Sequence, residues 1–378
     1  MLNIFLTGDN HIGLMFDRYD EIKDELKQSR LDSLKRMVLY ANENNCEFFV
    51  VAGDLFHRFS GISKKVIRTV AEILGEFEGK VLVLPGNHDY YSGDVKLWED
   101  FQDSIQDKPH ICVLNEFRTY EFETEDGNRA VIYPAMCQSK HSTTNNLEWI
   151  REEKIDPAVY NIGIAHGAIQ GITPDMNNEY FLMEERELNE IPVDVWLIGH
   201  THITWPENIS CEEYTEGHRI FNAGTHEQTD LSCRTEGNGF LIRLDEEKKV
   251  RAKRFVSGRI RYYDKKLKIK EGFLREQMTE SLKGIIRKDA IVRMTLSGSC
   301  STEDYEGRGA IYHETRQEFL SFEIRDDELS ERITKEKIEN EFAGISFPAK
   351  FLLGLTEDGT ELQMAYDLVR EIRKEEAK

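Results

Sequence analysis

The sequence predicts an α/β fold, a two-sheet β-sandwich flanked by helices, followed by a small α+β domain. Three observations predict it. Apolar runs of strand length recur through the N-terminal two thirds of the chain, and the first of them alternate with stretches whose apolar residues fall at helical spacing. Near Phe255 the pattern changes to a shorter mixture of helices and alternating strands.

The segments Asn3–Thr7, Glu47–Val51, Lys80–Leu84, Asn161–Ala165 and Asp194–Ile198 read as buried strands, each a mainly apolar run closed by a polar or glycine turn. Between the first two, Ile22, Leu26, Leu34, Met37, Val38 and Ala41 recur at helical spacing and stop before Asn44-Asn45. The next crossover repeats the pattern with Ile62, Val66, Val70, Ile73, Leu74 and Phe77. Right-handed crossovers would set these strands parallel. After Asp107 the strands are shorter: Ile111–Leu114, Ala130–Tyr133, Arg219–Asn222 and Gly239–Leu244, enough for a second sheet. Beyond Phe255, Leu274, Met278, Leu282 and Ile285 mark a helix, and Ile333, Ile338 and Phe342 mark another. Between them, Ala290–Leu296 and Glu318–Arg325 alternate like antiparallel strands. From Ser346 a Phe-Pro break precedes Leu362, Ala365, Tyr366, Val369 and Ile372 on one helical stripe, which either packs on its own chain or receives a partner. The expected domains are 1–255, 256–345 and the tail 346–378.

With 378 residues, 39% apolar, the chain is long enough for a large domain and a smaller one. No apolar run approaches bilayer length and the first residues lack a signal sequence's flanks, so no membrane partner is expected. Six scattered cysteines without a Cys-x-x-Cys pair read as reduced packing residues of a cytoplasmic protein. A net charge of −21 argues against a simple nucleic-acid binder. The stretch Arg251–Arg293 reverses it locally, with fourteen basic residues against five acids, Asp264, Glu271, Glu276, Glu280 and Asp289. It reads either as a solvated face or as a phosphate-tracking stripe that would include Lys265, Lys266 and Lys268.

The chemistry lies at the strand ends. Asp9 and His11, Asp54, Asn87, His166, His200 and His202 follow apolar runs in the motifs Asp-Asn-His, Gly-Asp, Gly-Asn-His-Asp, Ala-His-Gly and Gly-His-Thr-His. Carboxyl ends of adjacent strands share one rim of a sheet, where open α/β folds build their sites. Carboxylate, amide oxygen and imidazole suit Mn²⁺, Fe²⁺ or Zn²⁺, and two such ions imply phosphoester chemistry. His88, beside the candidate ligand Asn87, suits proton transfer, with Asp89 placed to fix its tautomer. Tyr90 and Tyr91 follow and either stack on a base or pack in the core. His110, His141, His218, His226 and His313 read as surface or loop residues.

Together these motifs resemble the calcineurin-type metallophosphoesterases over roughly residues 1 to 245. Within them, Asp9-Asn10-His11-Ile12-Gly13 and Gly53-Asp54-Leu55-Phe56-His57 are similar to the SbcD nucleases, the bacterial branch of the Mre-eleven family. The C-terminal domain is then similar to that family's capping domain, while Asn222–Glu227 loosely resembles its Gly-Ser-x-Glu-Arg turn into the cap. The resemblance implies two divalent ions, Mn²⁺ in the family, with Asp9, His11 and His202 on one, Asn87, His166 and His200 on the other, and Asp54 bridging. It implies a catalytic His88 and an auxiliary His57 near the leaving group. It also implies exonuclease and endonuclease action on DNA ends in double-strand break repair, and an SMC-like ATPase partner of the SbcC type in a heterotetramer around a homodimer. A phosphatase or nucleotide phosphodiesterase on the same scaffold is the competing enzyme reading, and a scaffold subunit the competing non-enzyme one.

Overall fold

Successive side chains of one strand enter different layers, and that alternation builds the first unit. Ile4 and Leu6 of the strand Leu2–Thr7 enter one core and Phe5 between them another. At Phe48–Ala52 the division repeats, with Phe48, Val50 and Ala52 beside Ile4 and Phe49 and Val51 beside Phe5. A strand apolar on both faces has to lie inside a layered structure. A computed structural model describes residues 1–93, 95–124, 127–172, 177–270, 273–355 and 359–376. The chain forms two compact units, Met1–Tyr262 and Tyr263–Lys378.

In the first unit one sheet runs Ile111–Val113, Lys80–Leu84, Phe48–Ala52, Leu2–Thr7, Asn238–Leu244, Val250–Val256, Thr215–Glu216. The first four strands are parallel, and the rest add antiparallel. The second sheet runs Ile220–Asn222, Val195–Gly199, Tyr160–His166, Arg129–Ala135 in parallel, with Tyr120–Glu123 antiparallel at the edge. One core fills the space between the sheets, where Leu6 and Val50 meet Ile164 and Leu197. The second packs the helices Lys23–Glu43, Lys64–Gly75 and Lys96–Ser104 on the outer face of the first sheet, through Leu34, Val70 and Trp98. A third packs Ile150 and Leu188 of two short helices on the outer face of the second sheet. This is the two-sheet, helix-flanked architecture that the apolar pattern predicts. Leu34 is fully buried, so Leu34→Ala would cost about 2–5 kcal/mol.

The second unit corrects one expectation. Ala290–Cys300 and Ser321–Glu331 pair in parallel, not antiparallel, with Arg261–Ile269 on the other side of Ala290–Cys300. Period-two alternation fixes a strand's faces but not its direction. Here residues 301–320 form a crossover, as parallel strands require, through the helix Thr302–Arg316 capped by Ser301. That helix carries Gly307 and Gly309 and buries only Ile311 and Tyr312, which hides it from apolar periodicity. The Phe-Pro at 347–348 starts a helix, Phe347–Gly354, with Ser346 accepting from the Ala349 amide at 3.3 Å and proline in the first turn. The tail falls within the second unit: Leu362 and Tyr366 of Gly359–Glu376 are buried with Ile338, Phe342, Ala349 and Leu352. All six cysteines are unpaired, and no helix among the described residues is long and apolar enough to cross a membrane. Glu271 of the basic stretch lies outside the described residues.

Candidate metal centre

The ligand candidates sit on loops that leave the strand ends of both sheets, and the backbone there is under strain. Among the described residues ten non-glycine residues have positive φ, and five are Asp9 (48°), His11 (43°), Asp54 (54°), His200 (101°) and His202 (51°). Left-handed backbone at such residues costs of order 1 kcal/mol each, so other contacts must hold it. The loops hold one another: the Asp9 amide donates to Gly53 O at 3.1 Å and the His11 amide to Asp54 O at 2.9 Å. Two glycines permit the approach. A Cβ on Gly53 would fall 2.0 Å from His166 Nδ1, and one on Gly86 2.2 Å from Asp54 Oδ1.

The side chains converge behind this backbone. His166 Nδ1 donates to Ala52 O at 2.9 Å, which turns Nε2 inward, 3.0 Å from Asn87 Oδ1 and 3.5 Å from Asp54 Oδ2. His200 Nδ1 lies 3.1 Å from the same Asn87 oxygen. On the other side His11 Nε2 lies 2.8 Å from His202 Nε2 and 3.7 Å from Asp54 Oδ2, with Asp9 Oδ1 3.8 Å from His202 Nε2. Asp9 also accepts from the His200 amide at 2.9 Å, and Asp54 Oδ1 from the His88 amide at 2.8 Å. Asp54 Oδ2, between the two groups, is buried and has no hydrogen-bond partner.

Charge follows from this geometry. Burial lowers the His166 imidazole, but the Asp54 carboxylate outweighs it, with Asp9 adding, and the result is raised to about 9. Burial alone would raise Asp54; His166 and His11 hold it well below the ordinary carboxylate range. Burial takes His200 down to about 3, with His166 adding, and pushes His11 well down against the pull of Asp54. Carboxylate, amide oxygen and imidazole groups thus crowd both sides of Asp54, and the positive charge that His166 carries beside it marks a place that a divalent cation could take. Oxygen and imidazole nitrogen in this number fit divalent cations, and Asp9, His11 and His202, or Asp9, Asp54 and His166, each bring one ligand atom within reach of a shared ion.

Residues 2–204 match the family described as Calcineurin-like phosphoesterase. The chain belongs to that family. This membership supports a phosphoesterase activity that depends on metal. It is also 26% identical over 179 residues to the uncharacterized metallophosphoesterase YhaO of Bacillus subtilis, a match spanning 47% of this chain and 42% of that protein's length. Among solved structures it resembles the calcineurin-like phosphoesterase YfkN of Bacillus subtilis (12% identity, 67% of this chain and 90% of that one, TM-score 0.42). It resembles a dimetal phosphatase of Danio rerio less closely (11% identity, 64% and 94%, TM-score 0.37).

Around the phosphoesterase centre the structure redistributes several expected roles. His88 Nδ1 donates to His57 O at 2.9 Å, and the two rings stack at 5.4 Å between centroids. Asp89 does not orient His88. It is fully buried, and its oxygens accept from the amides of Gly86 at 2.7 Å and Phe56 at 2.9 Å, so it braces two ligand loops instead. His57 is lowered to about 4 by burial and by His88. Tyr90 and Tyr91 are half-buried against the helix core, and Tyr90 lies 5.2 Å from the exposed ring of Phe59. The lysines do not make one stripe: Lys266 and Lys268 are exposed beside Asp264 on one face of their strand, and Lys265 is on the other, 5.9 Å from the Tyr263 ring. The basic stretch is divided between the units, and Arg251, Arg259, Arg275, Arg287 and Arg293 pair with Glu216, Glu25, Glu314, Glu318 and Asp264.

Sequence reading missed three features. His226 is fully buried, not a surface residue, and its Nε2 donates to Arg30 O at 2.9 Å. Tyr180 covers His200 at 5.1 Å between centroids and has His141 5.0 Å away on the rim; no motif marked either residue. Arg30 is buried behind the first loop. Its signal was present, since Ser29, Arg30 and Ser33 are polar on the face that Leu26 and Leu34 bury.

Proposed function

We propose that this phosphoesterase is a two-metal phosphodiesterase acting on DNA ends. Asp9, His11 and His202 would hold one cation, Asn87, His166 and His200 the other, and Asp54 would serve both, with Mn²⁺ as the ion. The observation that carries the two-cation reading is the buried Asp54 Oδ2, which accepts no hydrogen bond and is set 3.7 Å from His11 Nε2 and 3.5 Å from His166 Nε2. When bound, such cations supply Lewis acidity toward phosphate oxygens and lower the pKa of water toward neutrality.

The chain's own residues do the rest. Donation of His166 Nδ1–H to Ala52 O fixes the tautomer that presents Nε2, as a backbone acceptor does for metal-bound histidine generally. His88 Nδ1–H is committed to His57 O, so any proton that His88 gives to a leaving oxygen is held at Nε2. The Phe59–Tyr90 pair, two residues beyond His57 and His88, offers aromatic faces on which a base would stack, which favours a diester over a small monoester. An SbcC-type ATPase partner, a homodimer within a heterotetramer and a role in break repair belong to the same proposal, resting on the motif resemblance.

One assay tests it. The full chain with Mn²⁺ is given end-labelled DNA, bis-p-nitrophenyl phosphate and p-nitrophenyl phosphate in parallel. Cleavage of DNA and of the diester is expected; turnover of the monoester alone would make it a phosphatase on the same fold.

A further inference from the structure

We infer that Arg30, with Thr225 beside it, is a positioning residue for the Asp9–His11 loop, so that one of the two cations depends on it far more than the other. This rests on the two-cation reading above. The mechanism leaves Arg30 unused, yet it is a guanidinium 1% exposed, deep in the helix Lys23–Glu43. Burying a cation is unfavourable unless its donors are occupied. Here they are occupied by the ligand loop. Nε and Nη2 both donate to the carbonyl of Asn10, at 2.9 and 2.6 Å, and Nη1 donates to Glu227 O at 3.1 Å. Nη2 also donates to Thr225 Oγ1 at 3.2 Å, and that hydroxyl shares its one proton between Asp9 O at 3.0 Å and Glu227 O at 2.9 Å.

The consequence is geometric. Asp9 and His11 are left-handed, and Asn10 between them is fully buried, so its carbonyl must find donors within the protein. Arg30 supplies two from behind while Thr225 holds the preceding carbonyl. With both carbonyls pinned away from the centre, the Asp9 carboxylate and the His11 imidazole are directed into it. Without the guanidinium, the Asn10 carbonyl is orphaned, and the loop's left-handed backbone keeps the amide contacts of Asp9 to Gly53 O and of His11 to Asp54 O but loses its support from behind. Asn87, His166 and His200 leave other strands, and their side-chain contacts, to Ala52 O and to one another, do not involve Arg30; the link to the Asp9 loop is the His200 amide, which donates to the Asp9 carboxylate at 2.9 Å.

The helix is held in turn. The Glu227 carboxylate accepts from the hydroxyls of Ser29 (3.2 Å) and Ser33 and from the amides of Arg259 (2.8 Å) and Ile260 (2.6 Å). His226 donates to Arg30 O. Glu227 therefore ties the helix that carries Arg30 to the segment ending the first unit. A lysine cannot replace the fork, because three acceptors in fixed directions need a planar guanidinium.

The test is calorimetric titration of Mn²⁺ into the full chain after chelator treatment. In Arg30→Met one of the two ions should bind about 10–100-fold more weakly, the usual loss when a partner behind a ligand is removed, and the other as in the parent. Arg30→Lys should fall between. Made in His202→Ala, the Arg30→Met change should add no further loss; made in His200→Ala, it should weaken the ion that remains. Parent-like constants for both ions, or equal losses at both, would overturn the inference. If Arg30→Met does not fold, Thr225→Val removes the donor to Asp9 O at nearly constant shape, and a smaller loss confined to the same ion is expected; unchanged constants there also overturn it. A parent chain that binds fewer than two ions would refute the two-cation reading itself, which is a separate result.

Discussion

Asp89→Asn separates a structural brace from a catalytic orienter. Asp89 is fully buried; one oxygen accepts the Gly86 amide at 2.7 Å, the other the Phe56 amide at 2.9 Å, and its carbonyl accepts from the Trp98 indole at 2.6 Å. Asparagine keeps one acceptor and turns an NH₂ toward the other amide. That leaves two buried donors without acceptors, at about 1–3 kcal/mol each, so the variant should lose about 2–6 kcal/mol. A domain of ordinary stability, about 5–15 kcal/mol, would still fold but unfold at lower denaturant. Urea denaturation followed by tryptophan fluorescence reads this cleanly, because all four tryptophans, Trp98, Trp149, Trp196 and Trp205, lie in the first unit. A urea midpoint unchanged from the parent, with turnover alone reduced, would refute the bracing role.

His226, neutral because burial and the Arg30 charge push its imidazole well below 6.5, takes up a proton only on unfolding. The unfolded state then binds more protons below pH 6.5, so stability falls as pH drops, by about 1.4 kcal/mol per unit for this group; His226→Gln should flatten the difference in urea midpoint between pH 7.5 and 5.5. His88→Gln, made at a residue proposed for proton transfer, should retain two Mn²⁺ by titration while losing most turnover, and loss of an ion would count against that role. In the second unit Leu362 is 5% exposed, so Leu362→Ala should cost about 2–5 kcal/mol and speed amide exchange across Gly359–Glu376. Leu368, 56% exposed on the same helix, should tolerate Leu368→Asp within about 0.5 kcal/mol, and loss of co-purification with an SbcC-type ATPase in that variant alone would place the proposed partner surface there.

The sequence made the ligand loops legible because their chemistry allows few substitutes. Divalent cations restrict the side chains that serve them to a few types, and an open α/β sheet puts them where an apolar run ends, so Asp9, Asp54, Asn87, His166 and His200 could be picked out together as candidates, and the fold brings them to one place. The layers were legible for a similar reason: a strand such as Phe48–Ala52, apolar on both faces, has to be covered twice. Strand direction in Ala290–Cys300 and Ser321–Glu331 was not legible, because alternation is the same in either sense and the intervening helix buries only two side chains. The direction is decided by the length and content of residues 301–320, which the apolar pattern passes over.

What lay furthest from view was the polar support of the site. Asp89 stands beside His88 in the chain, and adjacency suggested that they interact; the carboxylate turns the other way, toward amides at Gly86 and Phe56. Arg30 lies twenty positions from Asn10 and nearly two hundred from Thr225, and no local rule connects them. A buried helix face that reads Leu26, Ser29, Arg30, Ser33, Leu34 nonetheless carries information. An arginine there is costly to bury unless something needs its donors, and a backbone bent into the left-handed turn of Asp9–His11 is one that does. A polar interruption of an apolar stripe, in a chain whose strand ends carry candidate metal ligands, therefore points to the structure behind them.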